Sequence, residues 1–431
     1  MKILWLCNIM LPKIAESEGM EAGNKEGWLT GLSDEILRRK ELHMELAVCF
    51  PVGKECLPEN GILKGTCEGL SYYGFYEDVA NAEIYDSRIE EILRKIIEEV
   101  KPDMVHIFGT EYPHTLAMTR VFPDKDKILI GLQGICGEFV KAYMSDLPEK
   151  IQNRYLFRDL LKRDNIRIQQ KKFLLRGKNE EEALKQAGHI AGRTEWDKEI
   201  AVKINPDATY HVLRETLRAP FYDKEWNPEE IEKHSIFLSQ GDYPLKGLHY
   251  LLWALPELLT KYPDTKVYVA GNIITNYKTL MQKIKIGSYG KYCLDLIRKG
   301  KLEERIVFLG KLSALQMRER YLKSHVFLCP SSLENSPNSV GEAMLLGMPV
   351  VSSNVGGVPS LLEDGKEGLL YPAGDTKAMI QAIDILFSDE EKALRLGRAA
   401  RERAKVTHNG DANLKALMQI YEQIVNGRKP T

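Results

Sequence analysis

The feature that most constrains this chain is an alternation: short apolar runs, each followed by a polar or glycine-bearing loop and then a helix-periodic stretch. The pattern runs through the first half, lapses between Arg214 and His234, and starts again. Runs of four to eight apolar residues suit strands buried on both faces, as in parallel sheets. The first half supplies Lys2–Cys7, 44–50, 103–108, 127–132, 189–193 and 208–213, with an amphipathic helix over 87–100. The second supplies 235–239, 266–270, 306–309, 325–330 and 349–352, with helices over 247–260 and 315–322. Three helical stretches close the chain, at 376–387, 390–405 and 410–425. The interruption contains Pro220 and Pro228 and reads as a linker. The expected architecture is α/β: two Rossmann-like doubly wound domains facing each other across a cleft, over 1–218 and 219–409. A helix at about 410–427 is expected to pack back on the first domain.

Composition removes several classes. A length of 431 residues favours two cores over one. The net charge of −1 offers no global field for nucleic acid. The seven cysteines contain no C-x-x-C pair, which points to free thiols and a cytoplasmic setting and away from disulfides or zinc. The apolar N-terminus, interrupted by Asn8, reads as a first strand and not as a signal peptide. No run approaches a membrane span.

In such sheets ligands bind at strand-to-helix turns beyond the carboxyl ends of the strands. In the second half, Cys329–Ser360 is the richest of these turns. It carries Glu334 and Glu342 with seven residues between them, then a helix start at Ser339. Backbone N–H groups there suit an anion, and carboxylates suit paired hydroxyls. Ser339-x-x-Glu342 equally fits a capping box, in which Glu342 closes its own helix. In the first half the loops carry Gly23, Gly27, His106, Glu111, His114, Gln133 and Glu138. A histidine there is a general base or a hydrogen-bonded structural residue. No G-x-G-x-x-G fingerprint of a nicotinamide cofactor is present. Lys150–Lys178 holds ten Lys or Arg, with Tyr155, Phe157, Leu160 and Leu161 interleaved. That stretch fits a membrane surface, a phosphorylated acceptor or a solvated helix face.

The Glu334/Glu342 pair, followed by Ala343, Gly347, Pro349, Val350 and Gly356–Gly357, resembles the family-four retaining glycosyltransferases. So do Glu363, Gly365, Gly368, the Lys246–Gly247 turn, 308–312, Tyr321 and Pro330–Ser331. The resemblance covers the second half nearly throughout, and the first more loosely. It implies a GT-B fold and transfer of a sugar from a nucleotide-diphosphate donor to a glycan or lipid-linked hydroxyl. It further implies retention of configuration, no cofactor and no obligatory metal. By resemblance, Glu334 meets the transferred sugar and Glu342 the ribose. Lys246 neutralises the diphosphate, making Glu334 and Lys246 the catalytic pair. Asn338, Ser339 and Val340 would hold the distal phosphate. Gly27, Gly241 and Gly271 would let backbone approach the donor, and Lys311 and Leu312 would meet the base. His106, Glu111 and Gln133 are the acceptor candidates.

Two departures stand out. Ser239–Asp242 offers no arginine where the family usually has one, and Gln133 stands where many members have a histidine. Glutamine takes no proton, which favours a mechanism in which the donor phosphate accepts it. The same architecture also fits a nucleotide-sugar 2-epimerase or a non-catalytic sugar-nucleotide or glycan-binding protein.

Overall fold

The structure is a computed structural model and describes residues 1–20, 27–59 and 61–427. It divides into two compact units. The first comprises Met1–Glu138, Lys172–Leu217 and His408–Thr431; the second comprises Phe139–Lys171 and Arg218–Thr407.

The first unit is built on an eight-stranded sheet: β1 (Lys2–Leu6), β2 (Glu45–Val52), β3 (Ile62–Cys67), β4 (Leu70–Tyr76), β5 (Met104–Phe108), β6 (Ile128–Gly131), β7 (His189–Gly192) and β8 (Thr209–Val212). Their spatial order is β3-β4-β2-β1-β5-β6-β7-β8, parallel except for the β3–β4 hairpin. Alternate residues of β1 serve two separate cores, which is why the strand is apolar throughout. Ile3 and Trp5 face one core with Leu414, Leu417, Tyr421 and Ile424 of the Gly410–Val425 helix. Leu4 and Leu6 face the other with Ile89, Leu93, Ile96 and Val100 of the Arg88–Val100 helix.

The second unit carries a six-stranded, wholly parallel sheet: β9 (Glu232–Leu238), β10 (Lys266–Ala270), β11 (Ile306–Gly310), β12 (Ser324–Cys329), β13 (Val350–Ser353) and β14 (Leu369–Tyr371). The order is β11-β10-β9-β12-β13-β14. Chain order reverses between β9 and β12, so the loops after these two strands lie at the switch point. The Leu248–Lys261 helix covers the sheet with buried Leu248, Leu251, Leu252, Leu255 and Leu258.

Residues 139–171 depart from the expected boundary: they group with the second unit, not the first. Polar bonds hold them there. His249 Nε2 donates to the Ser145 carbonyl at 2.7 Å, Tyr250 donates to Asp146 at 2.8 Å, and Ser288 donates to the Arg154 carbonyl at 3.0 Å. Bonds of this kind leave no hydrophobic period to read. The β3–β4 hairpin and β14 are likewise additions. The hairpin turns on Glu68 and Gly69, both at positive φ (51° and 87°), the backbone that tight two-residue hairpins require.

Candidate functional site

Apart from Gly27, which belongs to the first unit, the predicted donor residues lie at the carboxyl edge of the second sheet. The loop after β12 runs through Glu334 to the Asn338–Leu345 helix, capped by Pro337 without a side-chain bond. Asn338 and Ser339 hold its first two positions, where N–H groups have no partner one turn back. The Val340 N–H already donates to the Pro337 carbonyl at 2.9 Å, so in this state it differs from its expected role as a free phosphate donor. Ser339 lies inside the helix and Glu342 turns to Arg218, so the capping box does not form.

Lys246 ends a short turn, Pro244–Lys246, and Gly247 follows at φ 70°. A Cβ on Gly247 would lie 1.9 Å from the Pro330 carbonyl oxygen, so only glycine allows this approach. The Ser332 N–H donates to Leu245 O at 2.8 Å, tying the lysine turn to the β12 loop. Lys246 Nζ is thereby held 2.6 Å from Glu334 Oε1, which also accepts from Ser331 Oγ at 2.6 Å. Burial works against the ammonium, but Glu334 and Tyr243 outweigh it and hold the lysine above its ordinary range. On the other side, the Gly357 N–H donates to Glu334 O at 3.0 Å, and Gly356 at φ 49° leaves no room for a Cβ there.

Glu342 is buried. Burial pushes its carboxyl up to about 7, and Arg218 offsets only part of that. Arg218 also stands 4.9 Å over the Phe221 ring. It lies in what the sequence presents as a linker, and its only sequence mark is a position two residues before Pro220. Gly241 packs against Val269 and Leu248, with no room to spare for a Cβ. Gly271 turns at φ 98° beside Asp242, which accepts from Asn272 at 2.6 Å. Lys311 is exposed and Leu312 half-buried just beyond β11. The turn at 239–242 thus presents a carboxylate where an arginine was the family expectation.

The first-unit candidates behave differently. His106 is not on a loop. It lies inside β5, fully buried, with Nδ1 2.7 Å from the Tyr421 hydroxyl, which also accepts from Trp5 Nε1 at 2.8 Å. Burial lowers its pKa to about 3, so it stays neutral and structural. His114 is also enclosed, between Glu77 at 2.6 Å and Asn8 at 3.0 Å. Glu111 accepts from Asn8 Nδ2 at 3.1 Å and the Gly134 N–H at 3.2 Å, bracing the loops at the carboxyl edge of this sheet. Gln133 is half-buried, and its backbone carbonyl accepts from Arg193 Nη2 at 2.8 Å. Gly27 begins the Gly27–Arg38 helix; Gly23 lies outside the described residues.

The family model Glycosyl transferases group 1 matches residues 221–403. Spore coat protein SA of Bacillus subtilis is 28% identical over 181 residues, covering 42% of this chain and 46% of that protein. The chain spans less than half the length of the curated relatives it matches. Sucrose-phosphate synthase from Thermosynechococcus elongatus superposes with a TM-score of 0.72 at 14% identity, covering 99% of this chain and 100% of the other. Anabaena Alr3699/HepE, solved in complex with UDP-glucose, superposes with a TM-score of 0.66 at 15% identity over 99% of each chain. The chain therefore has the GT-B fold, and its residues 221–403 carry the glycosyl transferases group 1 signature.

Proposed function

We propose that this protein is a retaining, metal-independent glycosyltransferase of family four. It moves a sugar from a nucleotide-diphosphate donor to a hydroxyl of a glycan or lipid-linked acceptor. The observation that carries the reading is the Lys246–Glu334 contact at 2.6 Å, held by backbone bonds beside a helix start and the buried Glu342. Lys246 supplies positive charge to the departing diphosphate, electrostatic stabilisation that needs no metal. Asn338 and Ser339 add N–H groups at the helix start. Glu342 receives the ribose hydroxyls, and Glu334 those of the transferred sugar. Glu334 already accepts from Lys246 and Ser331, which suits orienting hydroxyls better than nucleophilic attack. A donor phosphate oxygen then takes the acceptor proton, and the protein positions and stabilises. The complex of Anabaena HepE with UDP-glucose supports a UDP-sugar as the first donor to try.

The test is a thermal-shift screen of nucleotide diphosphates and their sugars, followed by product analysis with the stabilising donor. A ligand at 100 times its Kd adds ~2.7 kcal/mol of stability. Transfer in the presence of EDTA, with an α product from an α-linked donor, supports the proposal. An inverted product, or a metal requirement, overturns the corresponding part. A new nucleotide sugar formed without acceptor identifies an epimerase instead.

A further inference from the structure

The Phe157–Lys162 helix is folded inside out. Two of its charged residues turn inward, while Lys162 stays exposed: Asp159 is buried, accepts from the Leu156 N–H at 3.0 Å and from Ser288 Oγ, and meets Arg158 at 3.1 Å. Arg158 also reaches Asp164 at 3.3 Å. Its apolar residues, spaced i, i+3, i+4 along one face, point to solvent: Phe157 is 56% exposed, Leu160 60% and Leu161 69%. The Leu280–Lys285 helix packs beside it and adds apolar surface, with Leu280 74% and Met281 57% exposed next to exposed Lys283 and Lys285. Both helices belong to the second unit. Buried apolar stripes are the rule for helices of a globular protein, and two neighbouring exceptions mark a surface made to be covered.

Exposed Lys150, Lys162, Arg163, Lys278, Lys283 and Lys285 come from the same two segments. Residues 272–287 contain no acid, and residues 150–163 contain only the buried Asp159. We propose that the exposed faces of the Phe157–Lys162 and Leu280–Lys285 helices form a docking surface for an anionic lipid bilayer. Leucine, methionine and phenylalanine side chains enter the interface, and the lysines and arginine meet headgroup phosphates. A second copy of this chain is a poorer occupant, because it would set one basic surface against another. The surface is narrower than the basic stretch 150–178, since Arg158 and Arg167 are engaged within the protein, Arg167 with Asn153 at 2.9 Å. It also includes a helix from a distant part of the chain. The inference is independent of the donor-site reading, because it concerns different residues and needs no turnover.

The experiment is co-sedimentation of the full chain with phosphatidylcholine vesicles, with and without phosphatidylserine. The intact chain is expected to pellet with the anionic vesicles and stay in solution with the neutral ones. Lys162→Glu/Arg163→Glu should weaken binding about tenfold or more, and so should Leu160→Glu/Leu161→Glu and Leu280→Glu/Met281→Glu. All three variants substitute exposed positions, and unchanged circular dichroism and melting temperature would show that each folds. Equal pelleting with both vesicle types overturns the proposal, and so does no pelleting with either. A dimer of the intact chain that Leu160→Glu/Leu161→Glu dissolves also overturns it, by assigning the surface to self-association.

Discussion

Arg218 places Nε at 2.7 Å and Nη2 at 2.6 Å from one and the same oxygen of Glu342. A buried carboxylate is thus held by a single cation. Removing that cation leaves the charge without compensation, which costs several times the net value of the pair. With its carboxyl at about 7, Glu342 gains a proton as pH falls below neutrality and, in the proposed role, loses its capacity to accept from two ribose hydroxyls. UDP affinity is expected to fall by up to about tenfold per pH unit below this value. Arg218→Ala should move the midpoint upward, and Glu342→Gln should flatten the curve. Calorimetric titration of UDP between pH 5.5 and 8.5, roughly the range a shifted carboxyl titrates over, checks all three outcomes.

Lys246 and Glu334 are in direct contact at 2.6 Å, so in the proposed mechanism their removals should not add. Lys246→Ala and Glu334→Ala are each expected to lower transfer by about 100-fold or more, the scale of one lost electrostatic stabiliser. The double variant should cost much less than the product of the two. Steady-state rates with saturating donor decide it, and full activity in either single variant would refute the assignment.

Gly356→Ala tests whether the backbone places Glu334. The residue sits at φ 49°, and an added Cβ would meet Glu334 O at 2.1 Å. The strain alone is worth about 1–3 kcal/mol. Relief of the contact must shift the main chain that carries Glu334. The expected result is a lower melting temperature and a reduced kcat, with nucleotide affinity less affected because Glu342 lies on the helix. Denaturation and kinetics on the same preparation measure both.

Glu180 gives a pH dependence to the first unit. Burial pushes its carboxyl from the ordinary 4.5 up to about 7, even though Thr110 and the Cys136 and Gly137 N–H groups donate to it. The folded state therefore holds the proton more tightly than the unfolded state. Stability from this group is full at low pH, declines as pH rises from about 4.5 to 7, and is level above that. Glu342 acts in the same direction. At most about 3 kcal/mol is at stake for Glu180. Urea denaturation at a series of pH values should show the decline, and Glu180→Gln should reduce it.

Much of the fold was legible because a strand buried on both faces must be apolar at every position. β1 reads as such a strand, and its residues divide between two cores as that reading requires. The β3–β4 hairpin was not legible: β3 carries Lys64, Gly65 and Thr66 at the sheet edge, where packing demands little. At the candidate site, Glu334, Glu342 and Lys246 stood out because a strand-to-helix turn of this kind concentrates unusual residue types at fixed spacing. Arg218 did not, because its partner is 124 positions away. His106 was open between a general base or acceptor contact and a hydrogen-bonded structural residue, and it is a core residue, since one-dimensional position cannot show that Tyr421, 315 residues on, stands against it.

The sequence by itself determined the two parallel-sheet units and the placing of the carboxylates and the lysine on the second. Local period and motif spacing are properties of neighbouring residues. Only the tertiary structure decided that Lys246 meets Glu334, that Arg218 holds Glu342, and that residues 139–171 join the second unit. It also decided that Phe157, Leu160, Leu161, Leu280 and Met281 on two neighbouring helices are left exposed. Each of these depends on partners distant in the chain, brought together by backbone geometry and buried polar bonds that no local pattern encodes.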